Sequence, residues 1–438
     1  MNYSNKEYKK LGDRIRSNPK DISDEDYLML QELRLTYKDP LAVIFTSIEK
    51  MAYKVDANCI CTYRVKRIES IISKLIRFPE MQVNRAEDIA GCRCIMTSTD
   101  QVYQLYNKIL KNQDRLPYEV KGVIHDYIEQ PKESGYKSVH LNVTLRDDNR
   151  RVEIQLRALE HHNWATLVEI TDLLYASKLK EYGNKVSPDL FDFHFLMSKD
   201  LQELSKDDMY RIADIMISRS YIMKLGEVFA RNYLDVREKW NKLKLQNNHF
   251  FLIATDSEGM PDFAGFLDFE EAEKAYFDRF TNNRDNENIV LTHLRKTDFT
   301  KISIAYSNYF LTFNNTIIKI LKCLSEAVVG SYKQNKIKQF DRYYQCFLDI
   351  LDFWADKQLM EMASFQNDKY AKNYLKVRTE WRNSIMDGMG ALNIIYKDMN
   401  ERLTFSLLHL VPYRHKVKKR RAFLEKMRIK NNANEATQ

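Results

Sequence analysis

Apolar positions along the chain set out a helical stretch, then a mixed one, then helices again. Residues 1–39 are polar apart from 24–36, whose spacing predicts a helix. A second apolar-periodic run over 41–55 follows Asp39-Pro40, a pair that favours a helix start. After Arg64 the pattern changes. Ile68, Ile71, Ile72 and Leu75 predict a helix over 64–77, residues 90–96 read as a short strand, and 102–110 as a helix. Three strand-like runs follow at 120–128, 138–145 and 151–156, the last two joined by a turn at Asp147-Asp148-Asn149. Residues 158–245 return to helical spacing. A second, smaller sheet is expected from 249–255 and 288–294, separated by a helix over 269–280, as a small α+β module. Beyond Asn314 the periodicity is helical almost to a polar tail from Asn431, and no fixed period repeats. The fold class is α/β (α+β): a mixed sheet flanked by helices, then the small α+β module, then a mostly helical C-terminal region.

Composition narrows the picture. Hydrophobic residues make up 44% of the 438 and charged residues 30%, with only 11 Gly and 8 Pro, which excludes collagen-like and Pro/Gly-rich disordered chains. The length suits about three domains. The longest apolar runs, such as 405–411 with His409 inside, fall short of the roughly 18–20 residues that span a bilayer. The polar N-terminus lacks a secretory apolar core, so a cytoplasmic location and no membrane partner are expected. Six cysteines fall as Cys59/Cys61, Cys92/Cys94, Cys323 and Cys346, without CxxC or zinc spacing, and read as reduced, buried thiols. The formal charge is +8, and the whole excess lies between 411 and 430, where nine Lys/Arg accompany one acid, Glu425.

Four segments between Arg64 and Arg157 carry chemistry. In the first, Lys66, Ser70 and Lys74 recur every four residues after Arg64, so a helix would line up two ammoniums and a hydroxyl that can grip a polyphosphate. Alone, that row reads equally as a solvated basic face. The second, Glu87-Asp88-Ile89-Ala90-Gly91-Cys92-Arg93, puts a carboxylate at a strand mouth, where it can hold Mg²⁺, and a guanidinium on the strand, where it can stack on a base. The third runs from Asp126 through Pro131, Lys132, Gly135, Tyr136 and Ser138 to His140. It is a turn-rich loop offering a flat ring for stacking, with Lys132 and His140 as donors to phosphate. In the fourth, period two places Glu153, Gln155 and Arg157 on one face of a strand. Together they supply a carboxylate pair for a metal, cations for phosphates and a stacking aromatic, the parts that phosphoryl-type transfer needs.

These four motifs, in this order, resemble the synthetase domain of the RelA/SpoT alarmone synthetases over about residues 40–176. The resemblance implies a nucleotidyltransferase-like sheet with two facing nucleotide sites, and transfer of the β,γ-pyrophosphate of ATP to the 3′-hydroxyl of GDP or GTP. By it, Arg64 and Arg93 would sandwich adenine while Lys66, Ser70 and Lys74 hold the ATP phosphates. Asp88 and Glu153 would bind Mg²⁺, Glu153 would accept the proton of the attacking hydroxyl, and Tyr136 would stack on the acceptor's guanine among Lys132, His140, Gln155 and Arg157. The chain departs from the family at Ala158, where Thr is usual, and over 161–169, which puts acceptor choice in doubt and resembles a single-domain branch. No hydrolase activity is expected, because only about 40 residues precede the synthetase region and His125-Asp126 lies inside its own motif.

The domains expected are an N-terminal helical extension (1–39), the synthetase domain (40–180), an accessory helical and small-sheet region (181–330) and a helical C-terminal region with the basic tail (331–438). Expected partners are ATP and GDP/GTP, with a homo-oligomer left open. The first rival reading is a toxic relative that pyrophosphorylates the 3′ end of tRNA, held by the basic tail 411–430. A second, a nucleotide-sensing binding module, would predict damage at Asp88, Tyr136 or Glu153, and none is damaged.

Overall fold

The computed structural model describes residues 3–19, 21–177, 179, 183–225, 243, 248–255, 261–282, 288–294, 314–347, 349–350 and 395. The chain divides into two compact units, 1–319 and 320–438. The first is built on one mixed sheet. Its strands are β1 (Ile60–Val65), β2 (Ala90–Met96), β3 (Tyr118–Val120), β4 (His125–Asp126), β5 (Val139–Leu145), β6 (Val152–Ala158), β7 (Phe250–Thr255), β8 (Pro261–Phe266) and β9 (Asn288–His293). They lie in the order β3-β5-β6-β2-β1-β9-β7-β8, with β4 against β5. Among these pairs only β2 and β6 run parallel.

Alternation along the central strands makes one face apolar and the other polar. Cys92, Cys94, Ile154, Leu156, Val139 and Leu141 are fully buried on the first. Two helices cover that face. In α3 (Lys38–Val55), Leu41, Ile44, Phe45, Ile48 and Ala52 form an apolar stripe at helical spacing. In α5 (Thr99–Lys111), Val102, Leu105 and Ile109 do the same, behind a capping box in which Ser98 and Gln101 satisfy each other's backbone N–H. Buried Asp56, at the end of α3, accepts hydrogen bonds from the Thr97 backbone (2.8 Å) and hydroxyl (2.7 Å) and so fixes the exit of β2.

The helix expected over 64–77 is shorter, and Arg64 lies elsewhere. Residues 60–65 include the β-branched Ile60, Thr62 and Val65 and the aromatic Tyr63, and form β1. Only α4 (Ile68–Arg77) is helical, after Arg67 in an extended conformation, so Lys66 precedes the helix that was expected to carry it. The strand expected over 120–128 breaks into β3 and β4 around Gly122, whose φ is +75°. Before α2 (Asp24–Leu35), the polar start also holds α1 (Asn5–Ser17), which sequence periodicity missed and which is closed by a Ser4–Glu7 capping box. After β6 come α6 (Leu159–Tyr175), α7 (Pro188–Ser198) and α8 (Lys206–Ser218).

The small α+β module forms from β7, β8, α9 (Phe269–Asn282) and β9, with β8 missed from sequence. Its sheet continues the first one, because β9 pairs antiparallel with β1 at Cys61–His293 and Tyr63–Leu291. Tyr276 of α9 accepts the Val65 N–H (2.8 Å), and Gln31 of α2 donates to the Phe280 carbonyl (2.7 Å). A further helix, α10 (Asn314–Lys333), leads into the second unit, where Leu324, Val328, Phe340 and Tyr344 are buried and the last two rings stack at 5.7 Å. The basic tail at 411–430 and most of the expected C-terminal helices lie outside the described residues. Among the described residues no helix is long and apolar enough to cross a membrane.

Gly91 sits opposite Glu153 across the parallel pair, and a Cβ there would lie 2.9 Å from the Glu153 carbonyl oxygen. Gly91→Ala is expected to destabilise the fold by about 1–3 kcal/mol through overpacking, read as a lower urea midpoint.

Candidate functional site

The polar face of the central strands is the floor of the site. On β6, Glu153, Gln155 and Arg157 point the same way, opposite Gly91, Arg93 and Ile95 of β2. On β5, Asn142 faces Glu153 and His140 faces Gln155. Arg64 of β1 pairs with Gly91 and so shares this face with Arg93. Ser70 and Lys74 lie one turn apart on α4, away from its buried Ile68, Ile71 and Leu75. The sheet thus collects residues spread over nearly a hundred positions of sequence.

Two carboxylates anchor the charge pattern. Asp88, at the mouth of β2, receives Lys66 Nζ at 2.6 Å on one oxygen and Lys74 Nζ at 2.7 Å on the other. Both ammoniums therefore converge although only Lys74 is helical. Burial alone would raise the Asp88 carboxyl, but the charge and hydrogen bonds of the two lysines outweigh it and hold it below its ordinary value. Burial lowers Lys66 in turn, more than Asp88 raises it. Arg34 of α2 fixes this corner by donating to the Lys66 carbonyl at 2.8 Å.

Glu153 closes a circuit of five side chains. His140 Nδ1 lies 2.7 Å from one of its oxygens and Gln155 Nε2 donates to the other at 2.6 Å. The Tyr136 hydroxyl is 2.7 Å from His140 Nε2, and Arg157 donates to the Tyr136 oxygen and to Gln155 Oε1 (3.1 Å). Each contact of the circuit pairs a donor with an acceptor when His140 is neutral with its proton on Nδ1, while the buried Arg157 Nε has no hydrogen-bond partner among the described residues. That state is favoured, because burial of the ring outweighs the Glu153 carboxylate while Arg157 and Lys132 add positive charge, so His140 titrates below its ordinary value. Burial would raise the Glu153 carboxyl, but the hydrogen bonds from His140 and Gln155 hold it low. Asp88 pushes it the other way, a sign that the two carboxylates feel each other.

Cations outnumber these acids. Arg93 is pushed down to about 9 by burial and then by the charges of Arg157 and Arg64. It donates to Gln155 at 3.3 Å. Arg157 is buried, with its guanidinium carbon 4.9 Å from the Tyr136 ring centre, and Lys132 Nζ lies 5.3 Å from the same centre. The predicted residues of β1, β2, β5 and β6 are therefore brought together on one face. Lys66 and Lys74 reach it through Asp88, and Lys132 and Tyr136 through Arg157 and His140, while Ser70 is placed only by its helix, one turn before Lys74.

Sequence reasoning missed several supports. Asn142 donates to Glu87 (2.8 Å), which also pairs with Arg151, and Lys132 lies 4.3 Å over Tyr127. Trp164 sets its edge against Tyr136 at 6.4 Å and donates to the His194 carbonyl at 2.7 Å. Of these, Glu87 carried a signal as the opening residue of the second motif, and Trp164 as part of the divergent 161–169 segment. Among the described residues no group of three or more His, Cys, Asp or Glu converges on a metal site. Asp88 and Glu153 are hard oxygen donors, and Mg²⁺ is ordinarily held by one or two carboxylates plus phosphate oxygens and water, so this pair fits it.

Comparison with known proteins covers the same stretch of sequence. Residues 63–180 match the family model described as "Region found in RelA / SpoT proteins". This segment is a RelA/SpoT region. The GTP pyrophosphokinase YwaC of Bacillus subtilis is 36% identical over 116 residues, 24% of this chain and 53% of YwaC. The GTP pyrophosphokinase YjbM of the same organism is 31% identical over 128 residues, 27% of this chain and 59% of YjbM. A guanosine-3′,5′-bis(diphosphate) 3′-pyrophosphohydrolase of Borreliella burgdorferi is 27% identical over 197 residues, 45% of this chain and 28% of the relative. The chain thus spans little more than half of these relatives at most. Among solved structures, small alarmone synthetase 2 of Bacillus subtilis is similar at 28% identity and a TM-score of 0.31, over 38% of this chain and 88% of that one.

Two histidines behind the RelA/SpoT floor are held neutral. Burial pushes His194 down to about 3, and burial with the Lys137 and Arg157 charges pushes His161 down to about 4. Unfolded, each would titrate near 6.5, so the unfolded chain binds more protons below that value. The stability they contribute is present above 6.5 and is lost as pH falls toward the folded values. The thermal midpoint is expected to drop between about pH 7 and pH 5, and His194→Gln to flatten that slope.

Proposed function

We propose that the chain is an ATP:GDP/GTP 3′-pyrophosphotransferase that makes a guanosine alarmone of the (p)ppGpp type. The observation that carries the reading is the pair Asp88 and Glu153 at the polar face of β2 and β6, one gripped by Lys66 and Lys74, the other joined through His140 to a stacking ring, with Arg93 and Arg157 farther along the same two strands. Polyphosphate is the ligand class that such a surplus of fixed cations around two carboxylates suits.

Arg64 and Arg93 take adenine, Lys66 and Lys74 turn from Asp88 to the ATP phosphates, and Ser70 joins them there. Asp88 and Glu153 hold Mg²⁺, which when bound neutralises phosphate charge and orients the reacting groups. Tyr136 stacks on guanine, while Lys132, His140, Gln155 and Arg157 surround the acceptor's ribose and phosphates. Glu153, ionised and held by His140 and Gln155, takes the proton of the 3′-hydroxyl. The 3′-oxygen bonds to the β-phosphorus, the bond from that phosphorus to the α,β-bridging oxygen breaks, and AMP leaves. His140 holds one oxygen of the base through its N–H, so it remains neutral during the transfer.

γ-Labelled ATP with GDP, GTP or deacylated tRNA in parallel tests this directly. Label is expected on the guanine nucleotide and absent with Glu153→Gln, which removes the base at nearly constant volume. Label on tRNA alone would overturn the acceptor. Tyr136→Ala is expected to weaken the acceptor by about 1–3 kcal/mol with little change for ATP. Tyr136→Phe keeps the stacking face but leaves His140 Nε2 without its donor, so it should lower kcat more than it raises the acceptor KM.

A further inference from the structure

The matched family region ends at residue 180, yet the next helix reaches back to the loop that carries Tyr136. Gly135 turns with φ +86°, and the space a Cβ would need is filled by the Ser198 side chain. Lys137 Nζ donates to the Ser198 carbonyl at 3.3 Å. Trp164, edge-on to Tyr136, donates to the carbonyl of His194 one turn earlier. The loop is pinned at its base by Tyr127 N to Ser138 O at 2.9 Å and turns through Gly135 N to Lys132 O at 2.7 Å and Lys132 N to Tyr136 O at 3.3 Å. At the Gly135 tip, the Ser198 side chain and the Lys137 contact add the last turn of α7 to these local bonds.

That turn is itself held. The final carbonyls of a helix have no partner within it, and a lysine is a natural donor to them. Lys319 Nζ donates to the carbonyls of Met197 (2.8 Å), Leu196 (3.4 Å) and Lys199. Ser198 Oγ adds a bond to the Phe195 carbonyl at 2.7 Å. We propose that the C-terminal turn of α7, locked by Lys319, is a positioning element that sets the Gly135 turn and holds Tyr136 ready for the acceptor base. The proposal rests on the reading of Tyr136 as the acceptor's stacking partner. A loop ordered beforehand spares the acceptor the entropy of ordering it.

The test uses the full chain and two variants away from the reacting groups, Lys319→Met and Lys137→Met, with Lys319→Arg as the conservative control. Amide hydrogen exchange over 132–138 is read without nucleotide, and KM values for ATP and for GDP are read by transfer. Both Met variants are expected to speed exchange in this loop and to raise the GDP KM by about 3- to 10-fold with the ATP KM unchanged, and Lys319→Arg to restore both. Unchanged exchange in both variants would overturn the coupling. Faster exchange with an unchanged GDP KM would overturn the positioning role. If the wild-type chain moves no label to GDP or GTP, the functional reading fails, while the exchange data still decide whether α7 holds the loop. Should Lys319→Met not fold, Lys137→Met carries the same readouts from a half-buried side chain outside the helix.

Discussion

The site depends on one backbone pairing, the parallel register of β2 and β6. It aligns Gly91 with Glu153, Arg93 with Gln155 and Ile95 with Arg157, so that charge carried by two distant stretches of sequence meets on one side of the sheet. Parallel strands are joined through a crossover, and here the connection includes α5 and the strands β3, β4 and β5. The close approach at Gly91 requires a residue without a Cβ. The apolar side of the same strands, packed on α3 and α5, holds this register against slippage, because a shift of one residue would turn Glu153 into the core.

With the register fixed, the electrostatics follow. A half-buried carboxylate stays ionised only where cations or donors compensate for its lost water, and each of the two acids has its own arrangement. Asp88 has a lysine on each oxygen; Glu153 has neutral donors, an imidazole and an amide. The difference matters chemically. Lysines can leave an acid for an incoming phosphate, whereas the neutral donors of Glu153 are tied into a ring through Tyr136 and Arg157. One acid is thus free to change partners and the other is oriented in advance.

Much of this was legible in the sequence. Strands β2, β5 and β6 and helices α3 and α5 carry clean periodicity, and the four motifs brought the resemblance with them. Arg64 and Lys66 were misplaced because the isoleucine spacing of α4 runs back into a short strand that is buried at every position but Arg64 and so shows no alternation of burial. The strand β8, with Pro261, Asp262 and Gly265, has a composition that reads as loop and takes its place by pairing with β7. Contacts such as Arg34 on Lys66, or Ser198 under Gly135, join residues 32 and 63 positions apart, and no local pattern announces them.

The continuation of the sheet through β9 has a consequence for solubility. Without it, β1 would be a bare border strand, six residues long, with a row of unpaired amides and carbonyls open to any neighbouring chain. The module moves that border outward to β8, which opens with a proline, while the opposite side ends in strands of three and two residues. One border is blunted by its proline and the other by the shortness of its strands. By pairing with β1, β9 takes up amides and carbonyls that would otherwise be a template for intermolecular sheet growth.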